Sequence, residues 1–494
     1  MSGDSIVEGQ TQILIVLVLY LSFLIGFGVY QGRKAKSGKD FAIAGRQLPG
    51  WIAALSERAT GESAWALLGL PGFAYAAGLS AIWVAVGCVA GIIVAWTVFA
   101  GRLRREAEKY DATTFIDYIA RRHSDAEKWI RILGSVTVVF FFFFYVGAQF
   151  LGGGKTLNAL FGVDPKIGML ITAVIILPYT VLGGLKSVAY TDTVQAIVMI
   201  LTLTIAPIVG LIYIANHPDV FAHSVSSALE MSGPEYSTIL GGLVGGAAFV
   251  FVIAEFSWFF GYLGGMPQLS IRFMAIKDEK NAKLARNVGV SWTILAYIGA
   301  LLIGWIGIAI FGPTGLEDQE AVMPSVMLKL FPPFLAAIFI TGAIAAMLST
   351  ADSLLILSAT ELSENLLKPF VYKEDFDPKR SLKLSRITTV ALGVIALVTA
   401  YLVPSKLIYT IVGYTWAGIG DTFSVIVIMT LFWKRFHGRA VPPTIVTGLL
   451  FTIFWISSGL EKVVSARLMT FIVTAVVAVI ATYTLKPKEA ATTA

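Results

Sequence analysis

Apolar segments of about twenty residues recur along the whole chain, and no other feature limits its fold as strongly. A bilayer core of roughly 30 Å is crossed by about 20 apolar residues in helical form. Inside lipid each backbone amide and carbonyl must be satisfied within the segment, which helices of this length do. Such segments lie near 12–31, 49–72, 78–100, 132–160, 167–184, 190–215, 238–264, 287–311, 333–366, 386–403, 406–433, 440–458 and 465–485. They predict an all-α integral membrane protein with about 13 transmembrane helices. Segments 132–160 and 333–366 exceed one straight crossing, and the second is expected to include an outer-surface helix ahead of it. Only 14% of the 494 residues are charged, against about 25% in soluble domains. A soluble enzyme, a nucleic-acid binder and a disordered scaffold are thereby excluded for the chain as a whole. Asp4 and Glu8, rather than a basic stretch, precede the first segment, so it is expected to remain as a span and not to be removed as a signal.

An odd number of spans places the two ends on opposite sides. With the N-terminus outside, 30 of the 37 lysines and arginines fall on one face, chiefly in 33–46, 102–131, 272–286, 368–386 and 434–439. Cytoplasmic loops carry such an excess, so the C-terminus is expected in the cytoplasm. The same asymmetry explains the net charge of +6 without any nucleic acid. A single cysteine, Cys88, allows no internal disulfide, and the four histidines form no metal-ligand spacing. Loops 101–131 and 367–385 are too short for a separate core, so residues 1–494 read as one transmembrane domain.

Charges inside apolar spans and breaks in helices mark function in membrane proteins. Segment 49–72 reads WIAALSERATGESAWALLGLPG and places Glu57, Arg58 and Glu62 at mid-depth around Gly61. Segment 238–264 holds Glu255, an aromatic cluster, then Gly261 and Gly264, with Gly265 and Pro267 just beyond. Interrupted helices at matching places point to an inverted-repeat transporter. The repeats are then 49–215 and 238–433, with 12–31 as an extra N-terminal helix and 440–485 as two C-terminal helices. In the ninth span GAIAAMLSTADSLL sets Ala346, Ser349, Thr350 and Ser353 on one stripe. That stripe reads either as oxygen ligands for Na⁺ or as close helix packing.

ALSERATGESAWALLGLPG, GRLR at 101–104, YTDTVQA at 190–196, PQLSIRFMA at 267–275, AAMLST at 345–350 and YTWAGIG at 414–420 occur in order. Together they resemble the sodium:solute symporter family, and within it the sodium/proline branch. The resemblance runs from about residue 12 to 485. It implies a LeuT-type five-plus-five inverted repeat in a bacterial inner or eukaryotic plasma membrane, and coupling of Na⁺ entry to solute uptake. It implies a Na⁺ site at the carbonyls of Ala59, Glu62 and Ala346 and the hydroxyls of Ser349 and Thr350. A second Na⁺ would lie at Asp192, with Asp352 and Ser353. Solute-binding residues would be Ser63, Trp65, Tyr145, Trp258 and Tyr262. The chain departs from the branch at Gly61, where the family has Asp, and at Glu57, Arg58, Glu255, Asp421 and Ser424.

Each of these residues has a plainer reading beside the functional one. Arg58 and Glu62, four apart, can form a structural pair, which leaves Glu255 as a titrating acid. Asp192 reads as ion-linked, because an unpaired acid in a span is costly. Lys155 reads as a helix-end or partner charge, and Asp421 as a solute contact or a water-facing helix end. Trp65, Trp258 and Tyr262 form either packing contacts or an apolar wall for proline. GAQFLGGGKT at 147–156 lacks the first glycine of a phosphate loop and lies in a span, so it is not a nucleotide site.

The chain is therefore expected to be a secondary active transporter for Na⁺ and a small solute, proline first. Its partners are the solute, Na⁺ and the lipid bilayer, with no cofactor, no enzymatic step and no nucleic acid. The alternatives are another zwitterion, an organic acid, or proton coupling through Glu62 or Glu255. A channel or a transporter-like sensor ranks lower, since only a short tail follows residue 485.

Overall fold

A computed structural model describes residues 3–32, 42–182, 184–372, 378–403 and 405–485. Arg33, Lys34, Lys36, Lys39, Lys373, Lys486 and Lys488 of the basic count lie outside the described residues. The described residues form helices joined by turns and loops, and their one isolated β-bridge joins Leu48 to Ile276.

Among the described residues ten helices are long and apolar enough to cross a bilayer, and Pro165–Pro178 and Gly245–Gly261 are shorter apolar helices. Segments 49–72 and 78–100 fall within one run, Gly50–Lys109. Gly78, at φ 62 and ψ −137, ends regular helix between them, in a conformation open mainly to glycine. The segment expected from 238 begins as helix only at Gly245, because Gly241, Gly242 and Gly245 all take positive φ. The helix expected ahead of 333–366 is a separate element, Val322–Leu330, set off by Pro332 and Pro333. Segment 132–160 is part of one helix, Glu127–Phe161, of 35 residues.

Burial separates core from rim. In Pro333–Phe370 and Ile408–Phe432, 78% of the apolar window is buried inside the protein, but only 22% in Gly9–Gln31. The first helix therefore lines the rim and presents Leu14, Ile15, Leu19 and Phe23 outward. At the centre Gly50–Ala64 packs on Leu185–Asn216, Glu279–Phe311 and Pro333–Leu362. The approaches to the two broken segments are tied together, since Leu48 N donates to Ala275 O at 3.1 Å and Lys277 N to Leu48 O at 3.1 Å.

Candidate functional site

The first break lies at Ser63, two residues beyond the glycine that marks it in the sequence. Ser63 has φ 54 and ψ −169 inside Gly50–Ala64. This left-handed conformation costs a non-glycine residue about 1–3 kcal/mol and survives only where its surroundings enforce it. Two freed amides are recaptured: Ala64 N donates to Gln149 Oε1 at 3.0 Å and Trp65 N to Ser63 Oγ at 3.0 Å. Gln149, the residue that spoils the phosphate-loop pattern, thus holds the break closed. The second break follows Gly261. Gly264 takes φ 85, and the chain resumes as helix at Pro267–Ala275. A Cβ on Gly265 would lie 2.0 Å from the Gly420 carbonyl oxygen, so only glycine permits this approach.

Beside the first break, oxygens from two helices converge. Ser349 Oγ lies 3.0 Å from both Ala59 O and Ala346 O, and Thr350 Oγ1 lies 3.0 Å from Thr60 O. Ala59, Ala346, Ser349 and Thr350 are therefore brought together, with Thr60 unforeseen among them. The Glu62 carbonyl accepts the Trp65 amide. This junction offers neutral oxygens only, which suits a hard monovalent cation.

Asp192 is paired, contrary to the sequence reading. Its Oδ2 accepts from Arg272 Nη2 at 3.0 Å, Ser56 Oγ at 2.7 Å and Thr60 Oγ1 at 3.2 Å. Arg272 Nη2 also reaches Ser353 Oγ at 2.6 Å. Arg272 is fully buried and is not a loop cation as the basic count has it. Its signal in the sequence is an arginine in the apolar helical stretch PQLSIRFMA. Asp352, fully buried, lies next to Ser353 on Pro333–Leu362.

Buried aromatic side chains meet between the breaks. Trp65 lies 4.6 Å from Trp258 between ring centroids, Tyr262 lies 5.1 Å from Trp416, and Tyr145 lies 6.0 Å from Trp416. The Tyr262 and Tyr297 hydroxyls are 3.1 Å apart. Trp416, Tyr297 and Tyr409 join the four aromatics expected from sequence. Trp65 Nε1, Trp416 Nε1 and Tyr145 OH have no hydrogen-bond partner among the described residues.

The charge cluster divides in two. Arg58 binds both neighbouring acids, with Glu62 Oε1 at 2.7 Å and Glu57 in closer contact. Trp96 Nε1 adds a bond to Glu57 at 3.2 Å, while Glu62 Oε2 has no partner among the described residues. Glu255 is held elsewhere: Tyr409 OH donates to it at 2.6 Å and Arg467 lies 3.6 Å away. Arg467, an outer-loop base in the sequence reading, is buried with its guanidinium 4.5 Å over the Trp258 ring. Arg272 and Arg467 leave the loop count one from each side, so its asymmetry stands. Lys155 pairs with Asp318 at 2.8 Å and Glu320 at 2.7 Å. Glu320 in turn accepts the amides of Ile408 and Tyr409, fixing the start of Ile408–Thr415. Burial pushes the Glu320 carboxyl up from its usual range, and Lys155 opposes that rise.

Comparisons with known proteins bear on this geometry. The model of the sodium:solute symporter family matches residues 41–440. An osmoregulated proline transporter of Bacillus subtilis is 31% identical over 454 residues, covering 91% of this chain and 90% of that one. Sodium/proline symporter 2 of Staphylococcus saprophyticus is 33% identical over 458 residues, covering 91% and 87%. Among solved structures, a Na⁺-coupled sialic acid symporter in a substrate-bound outward-open state superposes with a TM-score of 0.77. It is 18% identical, over 96% of this chain and 98% of that one. A nucleobase-cation-symport-1 family transporter in a closed conformation gives 0.54 at 14% identity, over 90% and 92%.

Proposed function

This chain belongs to the sodium:solute symporter family and has the LeuT-type fold of Na⁺ symporters, and from that premise we propose that it couples Na⁺ entry to uptake of a small zwitterion, proline first. It is a multi-pass membrane protein, which we place with its N-terminus outside on the basic-residue asymmetry. The repeats 49–215 and 238–433 meet at the two breaks.

The observation that carries the solute is the aromatic cluster and its unpartnered polar atoms. Trp65 Nε1, Trp416 Nε1 and Tyr145 OH are buried donors that suit a carboxylate, and Glu62 Oε2 is a buried acceptor that suits an ammonium. Aromatic faces between them suit an apolar ring and a cationic nitrogen. Ser63 sets the turn that carries Trp65. The names of the curated relatives agree with proline. No step requires a cofactor or covalent chemistry.

Na⁺ as the coupling ion fits the junction of Ala59, Thr60, Ala346, Ser349 and Thr350. The Glu62 carbonyl would join if it left the Trp65 amide. A second Na⁺ at Asp192, Asp352 and Ser353 would have to share that ground with Arg272.

Purified protein in proteoliposomes tests the reading: an inward Na⁺ gradient should drive saturable, counter-gradient proline uptake. Uptake indifferent to Na⁺, or none for any zwitterion in a solute panel, would overturn it. Ser349→Ala with Thr350→Ala should raise the Na⁺ concentration for half-maximal uptake at least tenfold, since about 1.4 kcal/mol of lost ligation suffices for that. Unchanged Na⁺ dependence would remove these hydroxyls from the ion site. Tyr262→Ala should weaken proline binding more than Na⁺ binding in calorimetry. Equal losses would mark a folding defect.

A further inference from the structure

Asp421 has no part in the site described above, yet it is a buried acid whose carboxylate accepts no hydrogen bond from any described residue. It ends the π-helical stretch Trp416–Asp421 and is fully buried. Neither carboxylate oxygen has a hydrogen-bond partner among the described residues. Glu62 and Glu255, the acids from which proton coupling is expected in the sequence, each have an arginine: Arg58 and Arg467. The stretch around Asp421 packs on Thr422–Phe432, Val441–Ser457, Trp258–Gly261, Ile408–Thr415, Glu127–Phe161 and Ala466–Thr484. The first two carry no ionisable side chain. Tyr262 follows Gly261, Ile408–Thr415 carries Tyr409 and Tyr414, Ala466–Thr484 carries Arg467 and Tyr483, and Glu127–Phe161 carries Tyr145 with Glu127, Lys128, Arg131 and Lys155, of which Arg131 pairs with Asp117 and Lys155 with Glu320. Arg467 is the cation whose charge reaches Asp421, without a hydrogen bond between them, and it is also engaged by Glu255, by Ser257 Oγ at 3.4 Å and by the Trp258 ring.

We propose that Asp421 is a proton-binding site: its carboxylate takes up one proton when the transporter closes around its solute, which adds a proton linkage to the Na⁺-driven cycle. A bare carboxylate without hydrogen bonds in a dry interior costs far more than its neutral acid. Closure of the packed state therefore selects the protonated form, and entry of water on opening returns the proton to solution. The location gives the proton a path to the solute. Trp416 in the same stretch touches Tyr262, and Ser424, one turn on, donates to the Gly261 carbonyl at 3.4 Å. A charge at Asp421 would thus oppose packing of the second break against Trp416–Asp421.

The sign follows from this selection. If the closed, solute-bound state requires the acid form, solute affinity is full below the titration midpoint of the open state. Above that midpoint it falls about tenfold per pH unit. The inference rests on the transport reading but is tested apart from it. Infrared spectra of purified protein at pH 7.5, with saturating Na⁺ and each member of a solute panel in turn so that the closed state is populated, should show the carbonyl stretch of a protonated carboxylic acid that Asp421→Asn abolishes. Identical spectra for the two proteins would overturn the proposal whether or not proline is the solute. In proteoliposomes with clamped membrane potential and Na⁺ on both sides, proline addition should move protons in wild type, read by an internal pH dye. Asp421→Asn should retain Na⁺-dependent proline binding whose affinity no longer varies between pH 5.5 and 8.5. Proline uptake with no proton movement and a pH profile matching the variant would also overturn it. Should the variant fail to fold, calorimetry of wild type in buffers of differing ionisation enthalpy decides: a buffer-independent heat of proline binding sinks the proposal.

Discussion

Arg58→Ala is expected to destabilise the protein by roughly 3–5 kcal/mol, the cost of removing one partner from a buried ion pair. Arg58 is fully buried and is the shared partner of Glu57 and Glu62. Without it, Glu57 keeps the Trp96 bond, while the bond to Glu62 Oε1 is lost. Glu57→Gln should cost less, because Arg58 then retains Glu62. The triple change Glu57→Gln, Arg58→Met, Glu62→Gln should recover much of the loss, since replacing a buried ion cluster by neutral groups is often neutral or better. Thermal unfolding in detergent measures all three. A single Arg58→Ala variant within about 0.5 kcal/mol of wild type would place the cluster in water rather than in a dry core. The same variant informs function, because Glu62 borders the break that carries Trp65. A loss of proline binding that the triple change does not restore would assign the Glu62 charge to the solute's ammonium.

The parts of this molecule that sequence makes legible are those governed by local rules. Span positions follow from apolar run length, and the breaks from glycine, proline and charge where a helix should be uniform. The i, i+4 geometry of Arg58 and Glu62 appears as expected from helical spacing. What sequence hides depends on distant partners. Arg272 and Arg467 look like loop bases because each opens or closes a short polar stretch. Only the fold shows that one lies against Asp192, 80 positions away in sequence, and the other over Trp258. The break falls at Ser63 instead of Gly61 for a similar reason. The residue that takes positive φ is fixed by Gln149, on another helix, capturing the Ala64 amide. Tyr297 joins the aromatic cluster from a span that carries no motif and Tyr409 from outside the motif of its span, so periodicity does not single them out. The turn from Gly241 to Gly245 reads as span because the glycine pairs of GGLVGG, set in an apolar run, give no sign of their φ.

Asp192 and Arg272 supply the sharpest test of which residues hold ions. If Asp192 serves mainly as the partner of Arg272, Asp192→Asn leaves a buried guanidinium without its carboxylate. The expected loss is then about 3–5 kcal/mol of stability. Ser56, Thr60 and Ser353 cannot make up for it, because hydroxyls bring no net charge to the arginine. Asp192→Asn with Arg272→Gln should regain part of that loss, since the pair is then removed as a unit and the hydroxyls can bond to two amides. Ser353→Ala should cost less than Asp192→Asn, about 1–3 kcal/mol for the lost bonds to Arg272 and Thr60. If instead Asp192 holds a second Na⁺ through Oδ1, which has no protein partner among the described residues, the result differs. Asp192→Asn would then leave the melting temperature in Na⁺-free buffer near wild type and reduce its rise on adding Na⁺ to the part the first ion supplies. Differential scanning of the three variants with and without Na⁺ separates the two roles. Melting curves shifted equally in both buffers identify Asp192 as the counter-charge that anchors Pro267–Ala275 beneath the second break. A shift confined to the Na⁺ buffer identifies it as a ligand, and Arg272 then becomes the charge that sets how tightly that ion is held.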